Sequence, residues 1–328
     1  MNSLIVEDAV NFMWLELTGR CQLTCVQCYA DSGPTAGHGS MATVEWERAI
    51  NQAAALGVTD VCMIGGEPTT HPDFARLLRH ALAAGLRVEV FTNLYRVPDR
   101  LWDLFALPGV SLATSYYSDD PVEHDAITER TGSYLRTRAN IAQATTRGIP
   151  IRVGLIALFG DQRADQARRE LVALGVPEEA IGFDRLRAFG RGARGLPEEG
   201  DTCGGCGHGR AALLPDGSVV PCVFTRSATG GNVKDRPLGQ VLADERFSAQ
   251  VSRLDSLRAA HITVRQPTLE HQPGERSPVF SPPPPPGCLP NMCNPQCGPS
   301  CGPSCNPSCW PTGSGPCTPR GGCVPNYH

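Results

Sequence analysis

The chain has 328 residues, a formal net charge of −4 from 29 basic and 33 acidic side chains, and 15 cysteines. This balance leaves no electrostatic footprint for nucleic acid, and no apolar run approaches the ~18 residues needed to span a membrane. Met1 to Asn11 carries Glu7 and Asp8 and lacks the basic-then-apolar layout of a signal peptide, so the chain reads as cytoplasmic. There, many cysteines imply metal or redox chemistry rather than disulfides.

Phe12 to Leu17 reads as a first strand. After it, Cys21, Cys25 and Cys28 fall in one loop spaced C-x3-C-x2-C, and Tyr29 follows directly. Three thiolates in one loop suit an iron–sulfur cluster. In a [4Fe–4S] cluster they leave one iron open to a small molecule. A zinc knuckle is the competing reading, although closed zinc sites take four ligands. A helix is expected from Thr43, as N-cap, to Gly57, with Val44, Ala49, Ile50, Ala53 and Leu56 at helical spacing. Val61 to Ile64 is a buried strand followed by Gly65-Gly66-Glu67-Pro68, and Phe74 to Ala84 is a helix. Further strands run over Leu86–Phe91, Val110–Ser115, Ile151–Leu158 and, more weakly, Ala180–Leu186. Helices at about 101–107, 133–147 and 163–174 fill the gaps.

Alternating strands and helices imply a parallel sheet covered by helices. Six such units are too few for a closed eight-fold barrel, so the expected class is α/β, a partial (β/α)6 barrel. Active sites of barrels lie at the C-terminal strand ends. The cysteine loop, Gly65-Gly66-Glu67, Thr92-Asn93 and Ser115 all fall there, on one face. Mid-strand Cys62 reads as inert packing, or as a hydrogen-atom donor pointing into the barrel. Tyr116, Tyr117, Asp119, Asp120, His124 and Asp125 read as a solvated loop or as substrate contacts.

Residues 203 to 223 read as a second unit. Cys203 and Cys206 precede two apolar runs joined by Asp216-Gly217, a strong hairpin signal, and Cys222 ends the second run. A zinc-ribbon half is the alternative to a second cluster. A helix is expected from about Leu238 to Leu254. From about Thr263 the chain turns Pro/Cys-rich: Pro282 to Pro286 favours polyproline II, and cysteines recur every fourth residue from Cys293 to Cys309. Such a tail cannot build a core of its own. The organisation is therefore 1–190 barrel, 191–262 hairpin-containing domain and 263–328 largely irregular tail.

The C-x3-C-x2-C loop with Tyr29, together with Gly65-Gly66-Glu67-Pro68, resembles the radical S-adenosylmethionine (SAM) superfamily over about residues 11–260. The resemblance implies that Cys21, Cys25 and Cys28 hold a [4Fe–4S] cluster, and that SAM chelates the open iron. SAM is then cleaved reductively to a 5′-deoxyadenosyl radical that abstracts hydrogen from substrate. It implies SAM contacts for Tyr29, Gly65, Gly66, Glu67, Asn93 and Ser115, and an external flavodoxin- or ferredoxin-like reductant. Gly190-Arg191-Gly192 is similar to the family's loop after strand six, with no role given to the arginine.

The C-x10-G-x4-C layout from Cys206 to Cys222 resembles the opening of a SPASM or twitch extension, which implies an auxiliary [4Fe–4S] cluster on Cys203, Cys206 and Cys222. The remaining SPASM cysteine pattern is absent, and the first later cysteine is Cys288, the candidate fourth ligand. The resemblance favours a ribosomally made peptide as substrate. The alternative is epimerisation or dehydrogenation of a small molecule such as an amino sugar or cyclitol. Many peptide-modifying members carry a leader-binding domain ahead of the first strand; with so few residues before Phe12, a leader is expected to need a separate binding protein, which weakens the peptide reading without removing it. A catalytically dead scaffold is disfavoured by the intact motifs.

Overall fold

In the computed structural model, the structure describes residues 9–158, 162–193 and 201–264. Its elements are, in order, β1 (Phe12–Glu16), α1 (Thr43–Ala55), β2 (Asp60–Ile64), α2 (Phe74–Ala83), β3 (Arg87–Phe91), α3 (Asp99–Phe105), β4 (Val110–Tyr116), α4 (Pro121–Thr128), α5 (Ser133–Thr146), β5 (Ile151–Ala157), α6 (Ala164–Ala173), β6 (Ile181–Arg185), β7 (Arg210–Leu213), β8 (Ser218–Val220), β9 (Gly231–Asn232), α7 (Leu238–Leu242) and α8 (Glu245–Val264). The six βα strands pair in sequence order and in parallel, which is the expected α/β sheet.

Alternation along the strands sorts the side chains onto two faces. Met13, Leu15, Val61, Met63, Val88 and Val90 pack under the helices with Trp46, Ile50, Leu77 and Trp102 in one core. Each such large apolar side chain contributes ~1.5–3 kcal/mol on burial. Cys62 and Ile64 turn to the other face. There they join Ala212, Leu214, Val220, Cys206 and Cys222, with Phe12, Trp14, Tyr29 and Phe224 packed alongside.

Four local expectations change. The buried face of α1 is Trp46, Ala49, Ile50 and Ala53, a clean i, i+3, i+4, i+7 stripe, while Val44 is 64% exposed. Its N-cap is Ala42, whose N–H donates to Glu45 Oε2 at 2.7 Å; Thr43 instead donates to Asp73 Oδ2. The segment after β4 is a helix, α4, begun by the Asp120 cap and Pro121 at N1. The single helix expected over Leu238–Leu254 is two, broken where Asp244 Oδ1 accepts from Arg246 N at 2.9 Å.

The hairpin expected at Asp216-Gly217 forms as β7 and β8. β7 also lies parallel to β1, with Phe12 opposite Arg210 and Leu15 opposite Leu213, so one nine-stranded sheet runs β6-β5-β4-β3-β2-β1-β7-β8-β9. Among the described residues no helix is long and apolar enough to cross a membrane.

Candidate functional site

The cysteine loop leaves the end of β1 and is gripped from three sides. Cys28 N donates to Cys25 O at 3.2 Å, folding the loop on itself, and Val26 N donates to Ile127 O of α4 at 3.0 Å. The third grip comes from beyond β6. Arg191 N donates to Cys28 O at 2.9 Å, its Nε to Cys25 O at 2.9 Å and its Nη2 to Ser32 O at 2.8 Å. Gly190 lets this segment approach: its φ is +52°, and a Cβ there would stand 2.4 Å from Tyr29 O and 2.5 Å from Cys28 O. Arg191, which sequence reasoning left without a role, is thus the clamp on the loop. Only the Gly-Arg-Gly pattern hinted at it.

The loop after β2 is bonded to the root of the cysteine loop. Gly66 N donates to Thr18 O at 2.7 Å and Glu67 N to Arg20 O at 2.8 Å. A Cβ on Gly65 would meet Thr18 O at 2.5 Å, and one on Gly66 would meet Arg20 O at 2.4 Å. These glycines are therefore required by the backbone that carries Cys21, apart from any ligand.

Glu67 is 1% exposed and its carboxylate is a hub. Oε1 accepts from Thr69 N (3.2 Å), Thr69 Oγ1 (2.6 Å) and Thr92 Oγ1 (2.8 Å), and Oε2 accepts from Asn93 N (2.8 Å). Burial pushes its pKa up and these donors pull against that. Asn93 in turn donates Nδ2 to Cys21 Sγ at 3.5 Å, while its Oδ1 accepts from Gln22 Nε2 and Tyr95 N. The next residue, Leu94, has φ +52° and is held there through Asn140 Nδ2 to its carbonyl at 2.6 Å, a strain of the kind that collects at functional sites.

Burial pushes the Cys21 thiol up to about 12, with Glu67 adding to the effect, and raises Cys25 further; Arg191 opposes the rise at Cys25. The three thiols feel one another's charge. Yet among the described residues no three His, Cys, Asp or Glu side chains gather closely enough to hold a single metal ion. Cationic iron would supply the charge that thiolates buried in this loop need.

Tyr117 closes over the same thiols. It feels Cys25, Cys28 and Cys21 and takes a hydrogen bond from the side chain of Ser115, with burial holding its phenol protonated. The other residues of that segment are bonded or packed within the chain. Tyr116 and Tyr134 donate to Glu170 at 2.7 Å each, Asp119 pairs with Arg163, and Asp125 accepts from Gly132, Ser133 and Tyr134. His124 is packed among Tyr116, Tyr117 and Tyr134. Tyr29 stacks edge-on to Phe224 at 5.0 Å. Cys62 lies one layer deeper on the same face; its Sγ donates to Glu89 Oε1 at 3.2 Å, Glu89 is bidentate to Arg152, and burial raises its pKa well above the ordinary thiol.

The second cysteine set is also assembled. Cys206 and Cys222 are buried and Cys203 is exposed. Hydrogen bonding between the two buried sulfurs lowers Cys206 to about 7 and raises Cys222. Gly207 N donates to Pro221 O at 3.0 Å, which ties the Cys203–Cys206 loop to the strand end bearing Cys222. A Cβ on Gly207 would meet Val251 Cγ2 of α8 at 2.2 Å. Cys288 lies outside the described residues.

Residues 15–173 match the family model of the radical SAM superfamily, and residues 203–267 match SPASM, an iron–sulfur cluster-binding domain. The chain is 36% identical to a PqqA peptide cyclase of Ruegeria pomeroyi over 253 residues, covering 64% of this chain and 67% of that protein. It is 30% identical to an AdoMet-dependent heme synthase of Methanosarcina barkeri over 151 residues, 46% of this chain and 43% of that protein. Its fold is similar to that of Streptococcus suis SuiB bound to S-adenosylmethionine, with a TM-score of 0.57 at 14% identity, covering 76% of this chain and 68% of SuiB.

Proposed function

The chain belongs to the radical SAM superfamily, with a SPASM region that adds auxiliary iron–sulfur chemistry to its [4Fe–4S] cluster and SAM, and we propose that it modifies a ribosomally made peptide by hydrogen abstraction. The observation that carries this reading is the 36% identity to a PqqA peptide cyclase over 253 residues.

A bound cluster would supply the one electron needed to cleave the S–C5′ bond of SAM to methionine and a 5′-deoxyadenosyl radical, which would take a hydrogen atom from substrate. Cys21, Cys25 and Cys28 would hold the cluster, and Arg191 and Asn93 would fix their loop. The backbone at Gly65 and Gly66, with Ser115 and Tyr29, would contact SAM. Glu67, whose carboxylate accepts four hydrogen bonds from the chain, would position Asn93. Cys203, Cys206 and Cys222 would hold the auxiliary cluster, with Cys288 as the proposed fourth ligand. Electrons would come from a flavodoxin- or ferredoxin-like protein in the cytoplasm.

The test incubates the reconstituted protein with SAM, dithionite and each short peptide encoded beside its gene. A peptide mass change that accompanies 5′-deoxyadenosine supports the reading. SAM turnover stimulated only by sugars or cyclitols would replace it.

Cys62 supports a second reading, epimerisation of an amino sugar, a cyclitol or a peptide residue. Its S–H is kept protonated on the inner face. It would return a hydrogen atom to the substrate radical, and the external reductant would restore the thiol with one electron and one proton. Solvent deuterium appearing in product, and lost in Cys62→Ala, distinguishes this outcome.

A further inference from the structure

Glu16 and Arg226 form an ion pair that joins the two cysteine-bearing regions from the inner face. Glu16 ends β1, five residues before Cys21, and its side chain has no exposure. Arg226 lies four residues after Cys222 and donates Nη1 to Glu16 Oε2. The other carboxylate oxygen, Oε1, is buried without a hydrogen-bond partner. Burial pushes the Glu16 pKa up, and the Arg226 guanidinium pulls against that rise.

Residues that flank both cysteine sets gather around the pair. Tyr29, adjacent to Cys28, is within electrostatic range of Glu16, Arg226 and Cys28. Phe224, two residues after Cys222, touches the Tyr29 ring at 5.0 Å. Asp216 is the other charge acting on both Glu16 and Arg226. Buried charges are screened little by salt, and cluster reduction potentials follow the net charge and burial around the iron.

We propose that the Glu16–Arg226 pair sets the reduction potentials of the catalytic and auxiliary clusters. The carboxylate would oppose the electron each cluster accepts from the external reductant, and the guanidinium would offset it. The inference rests on the reading above that the two cysteine sets hold clusters.

The test uses the full chain reconstituted with iron and sulfide. EPR-monitored titration with dithionite is run on wild type, Glu16→Gln, Arg226→Met and the double variant. Glu16→Gln is expected to raise both midpoint potentials, Arg226→Met to lower them, and the double variant to return toward wild type, all at unchanged iron content. A pair that only held the fold together would reduce iron content and Tm and leave the potentials in place. Wild-type midpoints in a fully loaded Glu16→Gln variant would overturn the inference. Wild type with a single reducible cluster would instead remove the two-cluster reading, and the Glu16→Gln shift of that one cluster would still decide the inference.

Discussion

Arg191 reaches back 166 residues to donate its Nε to the carbonyl of Cys25 at 2.9 Å, so the last loop of the barrel fixes the first. Hydrogen bonds from a charged donor are worth about 1.5–3 kcal/mol each. Arg191→Ala removes two of them from the cysteine loop. Reconstituted Arg191→Ala is expected to keep its fold, lower Tm by several degrees and lose iron faster to a chelator; Arg191→Lys should recover part of the loss. Wild-type chelation kinetics would show that the loop holds itself.

Gly66→Val is expected to affect iron and SAM together. Its side chain would begin 2.4 Å from Arg20 O, an overlap that displaces the residue next to Cys21. Iron per chain and SAM affinity, measured by equilibrium dialysis, should both fall. Normal iron with weakened SAM binding would place the glycine's importance at the cofactor alone.

His124 gives the fold an acid limit. Burial among aromatic rings lowers its pKa from 6.5 to about 4. Between these values the unfolded chain binds a proton that the folded chain refuses. Stability is therefore full above 6.5, falls as pH drops toward 4 and levels below it, a loss of about 3 kcal/mol. Denaturant melts of His124→Phe across that window should be flatter than wild type. Parallel curves would assign the acid limit to other groups.

Ending the chain at Phe280 removes Cys288 and every later cysteine, whereas ending it at Trp310 retains Cys288 through Cys309. If Cys288 or Cys293 closes the auxiliary cluster, Mössbauer spectra should show that cluster lost or altered only in the shorter form. An unchanged spectrum at Phe280 would eliminate a tail ligand.

What the sequence revealed was local. Strand periodicity, the C-x3-C-x2-C spacing and the Asp216-Gly217 turn each concern neighbours in the chain, and each appears in the structure. Roles made by distant partners were hidden. Nothing near Arg191 says that Cys25 will meet it, and nothing near Glu67 says that Thr92 and Asn93 will donate to its carboxylate. Tyr116 to Asp125 read equally as loop or site because a polar stretch is ambiguous. Asp120-Pro121 carried the helix-start signal that resolves most of it.

The pairing of β1 with β7 has a consequence for biosynthesis. Phe12 lies opposite Arg210, so this edge of β1 stays bare until the 198 residues that separate the two have been made. Unpaired edges recruit other chains, and such long-range closures form late. A chain cut before β7 should therefore be insoluble even though it contains every βα unit. The nascent protein has a built-in interval in which a holding chaperone, or slow translation at low temperature, determines how much of it survives.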